Sequence, residues 1–351
     1  MIKKILRSKS GITKALAIGI AAIVVIAAVS AGIYFWMLAP APVKGPVMVY
    51  GAIHEFEIER MLDDFKKATG ITADYIRLSA GELTARIRAE KDRPMADIFL
   101  GGPNTYHETL RLDGLLEKYI SPIGAEIDKR YHSDPEGYWY GFYLGAIAFA
   151  VNKDWIKAKK LVAPKTWDDL LKPEFKGEIM MAFPYTSGTA YTIVCTQLFR
   201  LGEDAGWKYI AELDKQIKYY HKSGAAPARI AAAGEVGIGI VFGHDALKVA
   251  GAGYPLSVVY PPDTGWEIGG VSIIKGGPNT EAAKKFIDWV LGKDAGQIHT
   301  DLSFRISTRP DVKMRPGTVP LKDIKLVKFD FKWTAEQYDA IIAKWKALTG
   351  K

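Results

Sequence analysis

Between Ala15 and Leu38 the chain runs 24 residues without a charge. Lys3, Lys4, Arg7, Lys9 and Lys14 precede that run, and no acid does. At about 1.5 Å per residue it reaches roughly 36 Å as a helix, enough to cross a bilayer with some tilt. Basic flanks stay in the cytoplasm, so the spacing predicts a cytoplasmic leader (1–14), a transmembrane anchor (15–38) and a body on the outer face of the membrane. Tyr34, Phe35 and Trp36 stand where an interfacial aromatic belt belongs. The run exceeds the roughly 7–15 apolar residues of a cleaved secretory signal. No Cys follows it, which excludes a bacterial-type lipid anchor. Residues 39–46, Ala-Pro-Ala-Pro-Val-Lys-Gly-Pro, read as a short stiff linker.

The formal charge of +8 belongs mostly to that leader. Six of the 47 Lys and Arg lie in residues 1–44, so the remainder carries 41 basic against 39 acidic residues. No basic tract in the body suggests nucleic-acid binding. The single Cys195 lies in an apolar helical stretch and reads as core; one Cys gives no internal disulfide and no cysteine-rich metal site. Three Asn and four Gln beside many Lys, Arg and Glu suggest a thermophile. The body is long enough for two lobes with sizeable cores.

Strand and helix patterns alternate after the linker. Apolar spacing predicts a helix over 56–69 stopped by Gly70, and a capping box at Ser79 and Glu82 opens another. Strands are expected at 47–50, 71–78, 96–100, 178–183, 236–242, 258–260 and 271–274. Helices are expected at 190–201, 280–291 and 334–348. This is an α/β pattern with parallel sheets, in which ligands bind beyond the carboxyl ends of strands.

Four turns of that kind are candidates. Ser187, Gly188 and Thr189 lie between a strand and a helix, where hydroxyls, free N–H groups and the positive helix end make an anion site; taken in isolation, an ordinary N-cap is the simpler reading. Ser79 has the same two readings. His244 and Asp245 follow a wholly apolar strand; they can meet a ligand or pair with each other. His54 follows the first strand and either reaches the cleft or stays at a helix start. Glu267, beside Trp266, is a possible acceptor, with Trp266 and Tyr138 to Tyr140 as possible stacking rings. Tyr219 and Tyr220 fall in a polar segment. No nucleophile-elbow, zinc-protease or phosphate-loop motif is present, so no catalytic set emerges.

Taken in order, Tyr50 with His54, the Met95–Gly102 segment, Ser187–Thr189, Gly234–Val236 leading to His244, and Gly270–Pro278 resemble the ferric-type (family 1) extracellular solute-binding proteins of ABC transporters. The resemblance implies a two-lobed, type II periplasmic-binding-protein-like α/β fold: lobe one over 47–143 and 264–320, lobe two over 144–263, and a helical tail at 321–351. It also implies an ABC permease and its ATPase as partners, a monomer, and closure on the ligand. Ferric members use a His, a Glu and two adjacent Tyr. This chain has His54, but Gly101-Gly102 in place of the Glu and His244-Asp245 in place of the Tyr pair. That set looks more like the organophosphate-binding branch, implying ligand contacts from Ser187, Thr189, His244, Asp245, Glu267 and Ser223. Lys9-Ser10-Gly11-Ile12 looks like the prepilin-type leader that some archaea place on sugar-binding proteins.

The expectation is a membrane-anchored importer component that binds a small anionic, phosphorylated solute, needs no cofactor or resident metal, and catalyses nothing. A metal-ion binder using His54, His244 and Asp245, an extracellular phosphatase using His244 and Asp245, and a tethered sensor are the rivals.

Overall fold

The computed structural model describes residues 45–133 and 135–351. The leader, the anchor and most of the linker lie outside the described residues. Among the described residues, no helix is long and apolar enough to cross a membrane.

The chain begins with β1 (Val47–Gly51), α1 (Glu55–Thr69), β2 (Ala73–Arg77), α2 (Ala80–Ala89), β3 (Ile98–Pro103), α3 (Asn104–Leu112) and β4 (Leu116–Glu117). Ile58, Met61, Leu62 and Phe65 bury one face of α1, and Gly70 ends it at φ 73°, returning its N–H to Lys66 O. The capping box at Ser79 forms, with Glu82 accepting from the Ser79 N–H at 3.0 Å. Then come β5 (Trp139–Asn152), α4 (Lys153–Lys159), β6 (Ile179–Ala182), α5 (Gly188–Leu201), α6 (Glu203–Gln216), β7 (Ile217–His221), α7 (Ala226–Ala232), β8 (Ile238–Phe242), α8 (Gly243–Gly251) and β9 (Leu256–Val259). The chain finishes with β10 (Trp266–Ile274), α9 (Thr280–Val290), α10 (Lys293–Ser303), β11 (Ile306–Ser307), α11 (Phe331–Glu336) and α12 (Tyr338–Thr349).

The strands follow the order β2-β1-β3-β10-β5-β8-β6-β7. β5 is buried along its whole length and serves two sheets. Tyr140 to Ala146 pair with β10, and Ile147 to Val151 pair with β8. The chain returns at Thr264 and Gly265, where Gly265 O accepts from the Ile147 N–H at 2.9 Å. Two lobes result, one on each sheet. The sheets are mixed, which corrects the parallel expectation. β1 pairs parallel with β2 and β3, and β6 with β7 and β8, but β10 and β5 run antiparallel to their partners. These two strands carry the chain between lobes, and a direct return needs no crossover helix.

The C-terminal segment touches both lobes. Tyr338 packs edge-on against Tyr106 at 5.3 Å and lies 5.0 Å from Tyr191. Trp345, 1% exposed, packs against Phe183, Tyr185 and Tyr220, behind the ends of β6 and β7. The expected single tail helix is two, α11 and α12, meeting at Gln337. Cys195 is core, and burial pushes its thiol well above the ordinary range.

Candidate functional site

A cleft of about 450 Å³, counting its open mouth, lies where the ends of β1, β2, β3, β6, β7 and β8 converge. Its lining includes His54, Ser79, Ser187, Gly188, Thr189, His244, Asp245 and Glu267, so eight of the nine residues singled out from sequence meet in one place. Ser223 does not line it. Gly224 and Ala225 do, while the Ser223 N–H donates to His221 Nδ1 at 2.9 Å.

At one end the first turn of α5 faces the cleft. Ser187 caps it, its Oγ accepting from the Ala190 N–H at 3.4 Å. The N-cap and the anion-turn readings are therefore compatible: one hydroxyl caps a helix and lines a cavity. Gly224 closes against this turn, and a Cβ there would collide with Thr189 Oγ1 and Ser187 Oγ. Gly188 leaves room for lobe one, because a Cβ would sit 2.5 Å from Pro103 Cδ. The free N–H groups and positive end of a fourteen-residue helix favour an anion here.

The other end is ionisable. Asp245 is buried in the first turn of α8, and its carboxylate accepts from the His54 Nε2–H at 2.7 Å. Burial opposes its ionisation, but His244, the His54 bond and Arg305 outweigh it and hold the carboxyl below its usual range. Burial, reinforced by Arg305, keeps His244 neutral. Burial pushes Glu267 up to about 8, helped by Asp245 and opposed by Arg305, so it is an acid at neutral pH. His244 Nδ1 and Glu267 Oε1 are buried without protein hydrogen-bond partners. Native structures rarely leave such atoms unpaired, and both belong to side chains at the cavity wall.

Two cations there were not anticipated from sequence. Arg305 is 4% exposed and ion-paired to Glu57 Oε2 at 2.5 Å, with its guanidinium 4.8 Å from the centre of the Tyr143 ring. Arg77 ends β2 and donates from Nε to Ile53 O at 3.2 Å. Arg77 carried a signal, a charge at the carboxyl end of a strand. Arg305 carried none, since its partner stands 248 residues away.

Among the described residues, three bonds cross the cleft directly. Besides His54 to Asp245, Ser79 Oγ donates to Lys222 O at 3.3 Å and the Gly81 N–H donates to Thr186 O at 2.9 Å. The rings at 266 and 138–140 follow the core reading that aromatic residues usually have, rather than stacking in the cleft. Trp266 packs on Phe331 and Trp139 Nε1 donates to Glu108, whereas Tyr143 faces the cleft. The Tyr220 hydroxyl donates to Asp214, and Tyr219 is on the surface. Among the described residues, no group of three or more His, Cys, Asp and Glu is arranged to hold a metal ion.

Residues 93–331 match the family model described as bacterial extracellular solute-binding protein. An uncharacterised protein of Haemophilus influenzae is 34% identical over 87% of this chain and 91% of its own length. An Fe(3+)-binding periplasmic protein of Serratia marcescens is 25% identical over 81% of this chain and 85% of its own. Among solved structures, the periplasmic binding protein AfuA of Actinobacillus pleuropneumoniae, with fructose-6-phosphate bound, superimposes with a TM-score of 0.84 at 34% identity, covering 88% of this chain and 99% of that one. The family and the Serratia and Actinobacillus proteins are binding proteins, which removes the phosphatase reading. The chain belongs to the family of bacterial extracellular solute-binding proteins.

Proposed function

We propose that this chain is the solute-binding component of an ABC importer and takes a sugar phosphate in the interlobe cleft. The observation that carries the reading is the division of the cavity. One end offers a helix N-terminus with hydroxyls, and the other offers the hydrogen-bonding side chains of His244, Asp245 and Glu267. A phosphate fits the first through charge-assisted hydrogen bonds. Hydroxyls, which both donate and accept, fit the second: protonated Glu267 donates, Asp245 accepts, and neutral His244 does either. The AfuA likeness supports the same ligand class.

The work is binding and closure. The three bonds across the cleft must break for a ligand to enter and re-form when it is enclosed. β5 near residues 146–147 and the return at 264–265 are the segments about which the lobes 47–143 with 264–320 and 144–263 move. Wrong ligands are rejected because they leave buried groups unpaired. Residues 15–38 tether the body at the outer face of the membrane, and the body works as a monomer beside its permease and ATPase.

The Serratia relative keeps an iron reading in view. Here Gly101 and Gly102 stand in place of a glutamate, and the Tyr219–Tyr220 pair lies outside the cleft lining. A thermal-shift screen of the purified protein separates the readings. A hexose phosphate at a hundred times its Kd adds about 2.7 kcal/mol of stability. A shift with ferric citrate alone, lost in His54→Ala, contradicts the proposal.

A further inference from the structure

Arg305 is the one buried cation at the ionisable end whose place is set entirely by lobe one. Glu57, in the first turn of α1, fixes it by the ion pair, and Tyr143 of β5 lies beneath its guanidinium. Its Nε is buried without a protein partner. Arg77 lines the same cavity, and Lys248 stands nearby, its ammonium 3.4 Å from the centre of the Phe56 ring. Around these cations stand the carboxylates of Glu57 and Asp245 and, next to Arg77, those of Glu82 and Glu55, with Arg229 as a further cation. Glu57 pairs with Arg305 through Oε2, leaving Oε1 without a protein partner, and Asp245 pairs with His54 through Oδ1. Glu267 adds no negative charge at neutral pH. The far end of the cavity therefore holds a buried guanidinium with one N–H, Arg305 Nε, that no protein group satisfies.

We propose that Arg305 is a specificity-determining residue that admits neutral hydroxyl-bearing ligands and rejects those carrying an ammonium group at the end away from the phosphate. The inference rests on the sugar-phosphate reading and narrows it: hexose phosphates pass, while amino-sugar phosphates and aminoalkylphosphonates do not. The device is repulsive. A hydroxyl accepts from the free Arg305 N–H, whereas an ammonium has only donors to present to another donor. Like charges in a largely enclosed site are poorly screened.

The test is calorimetric titration of the full-length protein with glucose 6-phosphate, glucosamine 6-phosphate and 2-deoxyglucose 6-phosphate, at mildly acidic pH where the amine is charged. Wild type is expected to bind glucose 6-phosphate at least tenfold more tightly than glucosamine 6-phosphate. The 2-deoxy compound should fall between them, which separates loss of a hydroxyl from gain of a charge. Arg305→Gln should bring the first two within threefold, and Arg305→Lys should preserve the gap. If Arg305→Gln does not fold because Glu57 is left unpaired, the Glu57→Gln/Arg305→Gln double variant gives the same readout. Equal wild-type affinity for the two parent compounds, or a gap that persists without the cation, overturns the inference while leaving the sugar-phosphate reading intact. No binding of any of the three overturns both.

Discussion

At the anion end of the cleft, Ser187, Gly188 and Thr189 are consecutive residues on one helix start. At the ionisable end, Glu57, Tyr143, His244, Glu267 and Arg305 come from α1, β5, α8, β10 and the segment before β11. The first end is a local device whose dipole and N–H groups exist wherever the helix does. The second exists only when both lobes are folded and together. The anion end should therefore supply affinity for any phosphate, and the ionisable end should supply selection among them. Substitutions at the two ends should leave different signatures.

The largest effect is expected at Gly224. Gly224→Val drives a side chain into Ser187 and Thr189 and should weaken every phosphate ligand by roughly a hundredfold, measured by titration calorimetry. Equal loss for hexose phosphate and inorganic phosphate would sharpen the comparison; loss for the sugar alone would break it. Asp245→Asn leaves His54 without its charged partner and removes a buried acceptor, so hexose phosphate should bind about 30-fold more weakly, roughly 2 kcal/mol. Inorganic phosphate should bind nearly as before. Ser187→Ala should cost about 1 kcal/mol of stability in denaturant titration through the lost cap, and roughly tenfold in affinity.

Glu267 gives the pH signature. Folded, it keeps its proton to about pH 8; unfolded, it releases it near the ordinary carboxylate value of about 4.3. The folded state binds the extra proton between those values, so ∂ΔG/∂pH is negative there. Its contribution is full at low pH, declines as pH rises to about 8, and then levels off. Glu267→Gln should flatten that slope in melts across the range. Ligand affinity should hold up to about pH 8 and then fall by at most tenfold per pH unit as a carboxylate appears beside the ligand. An unchanged slope in the variant would sink this assignment. The smallest effect is Ser223→Ala, under twofold, because that side chain is outside the cavity lining.

The same comparison explains what was legible in the sequence. Ser187 to Thr189 and the capping box at Ser79 announce themselves because helix starts are local chemistry. His244 and Asp245 were visible because they follow a strand with no polar residue. Arg305 was not, because an arginine after a helix looks solvated until Glu57, 248 positions earlier, is brought beside it. Trp266 and Tyr138 to Tyr140 were ambiguous for the opposite reason. Aromatic residues read alike whether they stack on ligand or protein, and here they meet Phe331, Glu108 and other protein groups. The mixed sheets escaped notice because strand direction is set by which lobe a crossing strand enters.

The most direct measurement is a crystal structure with a hexose phosphate bound. The account predicts the phosphorus at the first turn of α5, with its oxygens on Ser187, Thr189 and the adjacent N–H groups. The sugar hydroxyls should lie among His244, Asp245, Glu267 and Arg305. A phosphate seated on Arg305 with hydroxyls at the helix start, or a metal ion held by His54 and Asp245 in its place, would contradict it.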